Sequence, residues 1–225
     1  MSAGLVRVLI GDDHRIVREG IKQVLADAPE VQVVAEASTG PEVLTWVEQL
    51  HAQGQPGLDL VLLDIALPGR DGLDVLQSIK RDRPRLPVLM ISTYPESQYA
   101  ARCIKLGASG YLNKSADPDD MIAGVRRVAG GGIYLSAAAA QSLAESVAGL
   151  ASGTKVGADT LSHREHQVFR LLVTGMSVTQ IGAQLGLASN TVSTYRARVL
   201  EKTGTRNDVE LALYAERMAQ NRPTR

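Results

Sequence analysis

The sequence predicts two domains: a doubly wound α/β domain built on a five-stranded parallel sheet, and a small all-α domain of four helices. Three observations carry this. Near-continuous apolar runs alternate with amphipathic stretches through the first 130 residues, a glycine run follows at 130–132, and from Leu161 onward only helix-period segments occur.

The strands are expected at Val6–Ile10, Val31–Ala35, Leu58–Leu63, Val88–Ile91 and Gly110–Leu112. The first, third and fourth are almost wholly apolar, as strands covered on both faces are. Helix-period segments fall between and after them, near 15–27, 41–52, 72–81, 96–106 and 118–129. Five βα units in this order place a ligand site at the carboxyl ends of the strands. The alanine-rich stretch 136–146 has the composition of a linker helix, and 149–159 reads as a flexible connector. Beyond it, Ser162 and Glu165 have capping-box spacing. Gly175 ends the first helix, Ser177 starts a second that stops at Gly186, Ser189 opens a third, and a fourth runs from about Asn207. Two short helices joined at a glycine make a helix-turn-helix candidate. The domains are therefore expected at 5–130 and 159–222, with the linker at 131–158.

Composition narrows the function. At 44% hydrophobic and 21% charged residues the chain has ordinary globular composition. No apolar run nears the roughly 18 residues of a membrane span, and the N-terminal run is too short for a signal peptide. The single Cys103 excludes an internal disulfide and fits a reducing cytosol, so a cytoplasmic protein is expected. The net charge of zero hides an asymmetry: residues 1–150 carry 14 basic and 18 acidic side chains, residues 151–225 carry 10 and 6. An acidic first part suits a metal or phosphate site and a basic second part suits nucleic acid.

Asp12 with Asp13, Asp64, Ser92 and Lys114 each stand where a strand runs out. Pro68-Gly69 forces a turn beyond Asp64, holding its carboxylate at the top of the sheet. Three carboxylates packed there repel one another unless a hard cation joins them, and Mg²⁺, which prefers oxygen ligands and keeps several waters, fits. Asp64 then becomes a nucleophile for a phosphoryl group, with Lys114 balancing charge on the transferred oxygens. Taken singly, an aspartate before a turn or a lone lysine is an ordinary surface residue. The joint pattern on successive strand ends is what points to chemistry.

In the basic part, the third helix reads SNTVSTYRARVLEKT over residues 189–203. Val192 and Val199 belong to its buried face, which turns Asn190, Ser193, Thr194 and Ala197 outward toward base edges. Arg196, Arg198 and Lys202 are the candidate phosphate contacts. His163 and His166 lie one turn apart without a third ligand, so zinc is not expected there.

The stretches VLIGDDH (8–14), LVLLDIALPGRDG (60–72), VLMIST (88–93) and GASGYLNKS (107–115) resemble the receiver domain of two-component response regulators over residues 5–130. Residues 160–220 resemble the LuxR-type helix-turn-helix, so the whole is similar to the NarL/FixJ class. The resemblance implies a flavodoxin-like receiver in which Asp64 accepts a phosphoryl group from a sensor histidine kinase. It implies that Asp13, Asp64 and the backbone carbonyl of Ala66 hold Mg²⁺, with Asp12 acting through a bound water. It further implies Ser92 and Tyr111 as switch residues, with Ser92 preferred to Thr93. In the output domain it makes the third helix the recognition helix, Thr191 a backbone-anchoring residue and the fourth helix a dimer contact on promoter DNA. Ser115 follows Lys114 where many receivers have proline, which weakens any assumption of a cis peptide there, since non-proline residues seldom adopt one. The implied function is a transcription regulator whose dimerisation and DNA binding follow phosphorylation, not a turnover enzyme. Two alternatives have sequence discriminators. A constitutive dimeriser would lack part of the acidic set, and an aspartyl-phosphate phosphohydrolase would carry a second aspartate where Ala66 stands.

Overall fold

The computed structural model describes residues 5–52, 57–137, 139–141, 143–144, 161 and 163–220. Five strands, β1 (Val6–Gly11), β2 (Val31–Ala37), β3 (Leu60–Asp64), β4 (Val88–Ser92) and β5 (Gly110–Asn113), form one sheet in the order β2-β1-β3-β4-β5. Every pairing is parallel, and β1 shifts register against β2 between Val8 and Leu9.

Side chains alternate between the faces of each strand, and the core divides accordingly. Val8, Ile10, Leu60, Leu62, Leu89 and Ile91 point to one face, where α1 (Arg15–Ala26) and α5 (Pro118–Ala129) supply Ile21, Leu25, Met121 and Val125. Leu9, Val61, Leu63, Val88 and Met90 point to the other. There they meet α2 (Gly40–Ala52), α3 (Gly72–Asp82) and α4 (Glu96–Lys105) through Val43, Val47, Leu76, Ile79 and Ala100. Cys103 is one of these core residues, and burial pushes its thiol up to about 12, which keeps it an inert filler. All of β3 and β4 is buried, the reason those runs carry no alternation.

Beyond α5, Tyr134 runs beside β5: Tyr111 N–H donates to its carbonyl at 3.1 Å, and its own N–H donates to the Ser109 carbonyl at 3.0 Å. Ser136 then accepts from the amide of Ala139 at 3.1 Å, opening α6, whose described helical residues are 137, 139–141, 143 and 144. Ala139 is fully buried in the same core as α4. The expected connector 149–159 and the cap residue Ser162 lie outside the described residues.

The second compact unit, described by itself, contains α7 (His163–Val173), α8 (Val178–Leu185), α9 (Ser189–Thr203) and α10 (Asp208–Gln220). Leu161, Val168, Ile181, Val192, Val199 and Leu211 form its core. Ser177 and Gln180 make a reciprocal capping box on α8. Gly186 closes that helix with φ 65°, a left-handed conformation that glycine adopts without the steric cost a Cβ brings.

Gly72 is fixed by close approach. A Cβ there would sit 1.9 Å from the Asp64 carbonyl oxygen, and its amide donates to Ile65 at 2.9 Å. Gly72→Ala should therefore lower receiver stability by about 1–3 kcal/mol. Gly20→Ala, inside α1 with nothing within 4 Å, should raise it by about 0.5–1 kcal/mol. Urea titrations followed by the fluorescence of Trp46, the chain's one tryptophan, measure both; equal midpoints would refute the packing argument.

Candidate functional site

The ends of β1, β3, β4 and β5 meet in one crevice. Asp12 directly follows β1 and is anchored by its amide, which donates to Ala37 at 3.0 Å. Asp64 is the last residue of β3. Lys114 follows β5, its amide donating to the Ser92 carbonyl at 2.9 Å. Asp12 is fully buried and Asp64 is 2% exposed, whereas the Asp13 side chain keeps a third of its surface in water.

The Lys114 ammonium stands between the two buried carboxylates, 2.6 Å from Asp12 Oδ2 and 2.8 Å from Asp64 Oδ2. Burial works against its charge, but the paired carboxylates outweigh burial and raise its pKa. For Asp64, burial is the larger influence and lifts the carboxyl above its usual range; Lys114 opposes this, while Asp12 adds to it. One ammonium cannot neutralise two buried carboxylates with a third beside them. Asp12 Oδ2, fully buried, has the Lys114 ammonium as its close partner. Oxygen-rich and net negative, the group has the chemistry of a divalent-cation site, and donor atoms of Asp12, Asp13, His14 and Asp64 all lie within 4.8 Å of one another. The Ala66 amide donates to the Asp64 carboxylate, placing that residue at the mouth of the same crevice.

Ser92, the last residue of β4, is 1% exposed, and its Oγ accepts from the Tyr94 amide at 3.3 Å. Neighbouring Thr93 is exposed. Tyr111 is fully buried and donates its hydroxyl to the Tyr94 carbonyl at 2.9 Å, with Ser92 also within hydrogen-bonding reach. Burial raises its phenol pKa well above the ordinary value. Asn113 donates to the same carbonyl at 3.2 Å and accepts from the Ser115 amide at 2.9 Å. All peptide bonds of the described residues are trans.

On the helical unit, Val192 and Val199 are fully buried, and Asn190, Thr191, Ser193, Thr194, Ala197 and Arg198 are exposed. Thr194 Oγ1 donates to the Asn190 carbonyl at 3.0 Å. The cations depart from the sequence expectation. Arg196 Nε donates to both carboxylate oxygens of Asp208, at 2.8 and 3.1 Å, in the first turn of α10. Lys202 pairs at 2.6 Å with Glu165, a carboxylate of α7 that is 2% exposed. Both lie on the flanks of α9 where neighbouring helices pass, which leaves Arg198 as the exposed cation of the three.

Residues 8–126 match the family described as response regulator receiver domain, and residues 159–215 match bacterial regulatory proteins of the luxR family. Response regulator UvrY of Escherichia coli K12 is 33% identical over 213 residues, covering 95% of this chain and 94% of its own length. Transcriptional regulatory protein UhpA of the same organism is 38% identical over 210 residues, 92% and 96% of the two chains. Among solved structures, RcsB of Salmonella enterica serovar Typhimurium, bound to promoter P1flhDC in the presence of the phosphomimetic BeF₃⁻, is 25% identical. It aligns over 93% of this chain and 97% of its own with a TM-score of 0.57.

This chain is a response regulator of the NarL/FixJ class. As a response regulator it has a receiver fold followed by a DNA-binding helix-turn-helix of the LuxR type. Among the described residues, no helix is long and apolar enough to cross a membrane. Three residues that the sequence argument did not single out belong to the crevice and its surroundings. His14 Nδ1 lies 2.7 Å from Asp13 Oδ1, while Tyr94 and Asn113 tie Tyr111 to the loop after β4. The run Asp12-Asp13-His14 was the one available signal for His14. Nothing in the sequence marked Tyr94, whose contribution is its backbone.

The recognition face yields a test by substitution. Thr194→Ala should change which operators bind, because the side chain stands on the outward face. Arg198→Ala should weaken all operators alike and reduce the slope of log K against log salt by about 0.9, one phosphate contact. Gel-shift titrations across salt concentrations separate the two, with circular dichroism confirming that each variant is folded. A Thr194→Ala variant neutral on every operator would require the base-reading face to be redrawn.

Proposed function

We propose that this response regulator takes a phosphoryl group from a sensor histidine kinase onto Asp64 and that the modified protein dimerises and binds promoter DNA through α9. The observation that carries this reading is the buried Asp64 carboxylate held 2.8 Å from Lys114 Nζ with Asp12 and Asp13 alongside. In the transfer, one Asp64 oxygen forms a bond to phosphorus as the phosphorus–nitrogen bond of the kinase's phosphohistidine breaks, and the leaving imidazole keeps the electron pair and is protonated. Mg²⁺ held by Asp13, Asp64 and the Ala66 carbonyl, with Asp12 reaching it through water, would neutralise charge on the phosphoryl oxygens. Lys114, which pairs with Asp12 and Asp64, would move onto a phosphoryl oxygen. Ser92 supplies a hydroxyl at the adjacent strand end, and Tyr111 shares with it the contacts of Tyr94.

The chain acts as an acceptor and not as a turnover enzyme, since Ala66 offers no general acid two residues beyond the nucleophile. A cytoplasmic location follows from a kinase partner and a DNA target. Val209 and Leu213, one turn apart on α10, are 71% and 51% exposed, an apolar pair consistent with the fourth helix as a dimer contact. The RcsB complex with a promoter and BeF₃⁻ lends the reading support by likeness.

Asp64→Asn should abolish phosphate incorporation from acetyl phosphate and Mg²⁺ while keeping the fold, because it removes the nucleophile and preserves shape. Intact-mass spectrometry reads this directly; a gain of one phosphate in the variant would sink the assignment. Phosphorylated wild type should also double its mass in light scattering without DNA. An unchanged monomer mass would confine dimerisation to DNA, and a dimer in both states would make the receiver a constitutive dimeriser.

A further inference from the structure

His14 breaks a local rule. It occupies the N-cap of α1, a position favoured by serine, threonine, aspartate or asparagine, yet its side chain makes no capping hydrogen bond. Its ring is turned instead toward the acidic crevice, with Nδ1 2.7 Å from Asp13 Oδ1 and 3.5 Å from Asp12 Oδ1. The backbone reinforces this, as His14 N–H donates to Asp12 Oδ1 at 2.8 Å. Two-thirds of the side chain remains exposed, so the ring can adjust without repacking.

The spacing is that of ligands around one ion. At metal–ligand distances of about 2.1 Å, adjacent octahedral positions lie about 3.0 Å apart and opposite ones about 4.2 Å. The 2.7 Å separation from Asp13 is near adjacent spacing, the 3.5 Å separation from Asp12 lies between adjacent and opposite, and the 4.8 Å limit on the whole group needs a contraction to close. Lys114 brings one positive charge to the carboxylates of Asp12, Asp13 and Asp64, so the crevice stays net negative. Imidazole nitrogen is a poor partner for Mg²⁺ and a good one for first-row transition ions, whose affinity for mixed nitrogen and oxygen sites rises along the series from manganese.

We propose that His14 is a ring-nitrogen ligand of this site and that it makes the receiver take transition dications such as Mn²⁺ in preference to Mg²⁺. This rests on reading the acidic group as a divalent-metal site. The rival role for the ring is a hydrogen bond that merely orients Asp13, which would serve every cation equally.

The full-length protein, titrated separately with MnCl₂ and MgCl₂ by calorimetry, distinguishes them. His14→Ala and His14→Asn, the second a better helix cap than the native residue, should both weaken Mn²⁺ binding by about tenfold or more, as losses at metal sites do. Mg²⁺ binding should stay within about twofold, the discrimination expected of a nitrogen donor. Pulsed EPR of the Mn²⁺ form should detect coupling to one imidazole ¹⁴N in the wild type and none in either variant. Parallel loss of both metals, no loss of either, or ¹⁴N coupling that survives in the variants would overturn the role of His14. Binding of both metals untouched by Asp13→Asn would instead overturn the crevice as the metal site, a separate failure.

Discussion

Two carboxylates with almost no solvent, Asp12 and Asp64, are held against a single ammonium, and much of the receiver exists to keep them there. Burying like charges side by side is unfavourable unless cations join them, so the arrangement persists only where the backbone leaves no choice. Parallel strands provide that constraint. Adjacent β1 and β3 end at the same height, and β5 delivers Lys114 from the far side of β4. The wholly apolar β3 and the missing side chain of Gly72 allow α3 to press on the Asp64 backbone. A carboxylate fixed this way cannot relax away from Asp12.

The crevice is joined to the far edge of the domain through one short loop. Ser92 closes β4, and the next residues present the Tyr94 amide to its hydroxyl and the Tyr94 carbonyl to both Tyr111 and Asn113. Two residues further, Glu96 begins α4 and accepts a hydrogen bond from Ser136, the residue that caps α6. Tyr134, in the same segment as Ser136, is hydrogen-bonded along β5 beside Tyr111. The loop of residues 92–96 is therefore shared between the acidic site and the start of the linker. A displacement of Ser92 must break or carry hydrogen bonds that belong to both.

Most of the architecture was legible because strand and helix periods differ so plainly here. The strands nevertheless extend past their expected ends. Gly11, Asp64, Ser92 and Asn113 all pair in the ladder, although the apolar run stops one residue earlier in each case. Hydrophobicity marks what is buried between layers, whereas pairing depends on backbone, and the site residues are ordered because they still belong to the sheet. His14 was hidden for another reason, since a helix cap is read from its own side chain and this one is turned elsewhere. Arg196 and Lys202 were assigned from the face of α9 alone. Their partners stand 12 and 37 residues away, and no local pattern reveals a tertiary ion pair.

Those two ion pairs change how the positive charge of the output domain is to be understood. Residues 151–225 hold an excess of four basic side chains, yet two of the cations on α9 are already matched by Asp208 and Glu165. The Glu165 pair braces α7 against α9 from a nearly dry position, so removing Lys202 takes a charged partner from a buried carboxylate and harms the fold as well as any contact with phosphate. Counterion release scales with the phosphates neutralised, and the exposed cations among the described residues of this unit are Arg198 on α9 together with Arg170, Arg206 and Arg217 outside it. Beside Arg198 the outward face of α9 carries the small polar side chains Asn190, Ser193 and Thr194. Under the proposed function, if one copy binds DNA weakly, the step that brings two copies together sets the occupancy of the site.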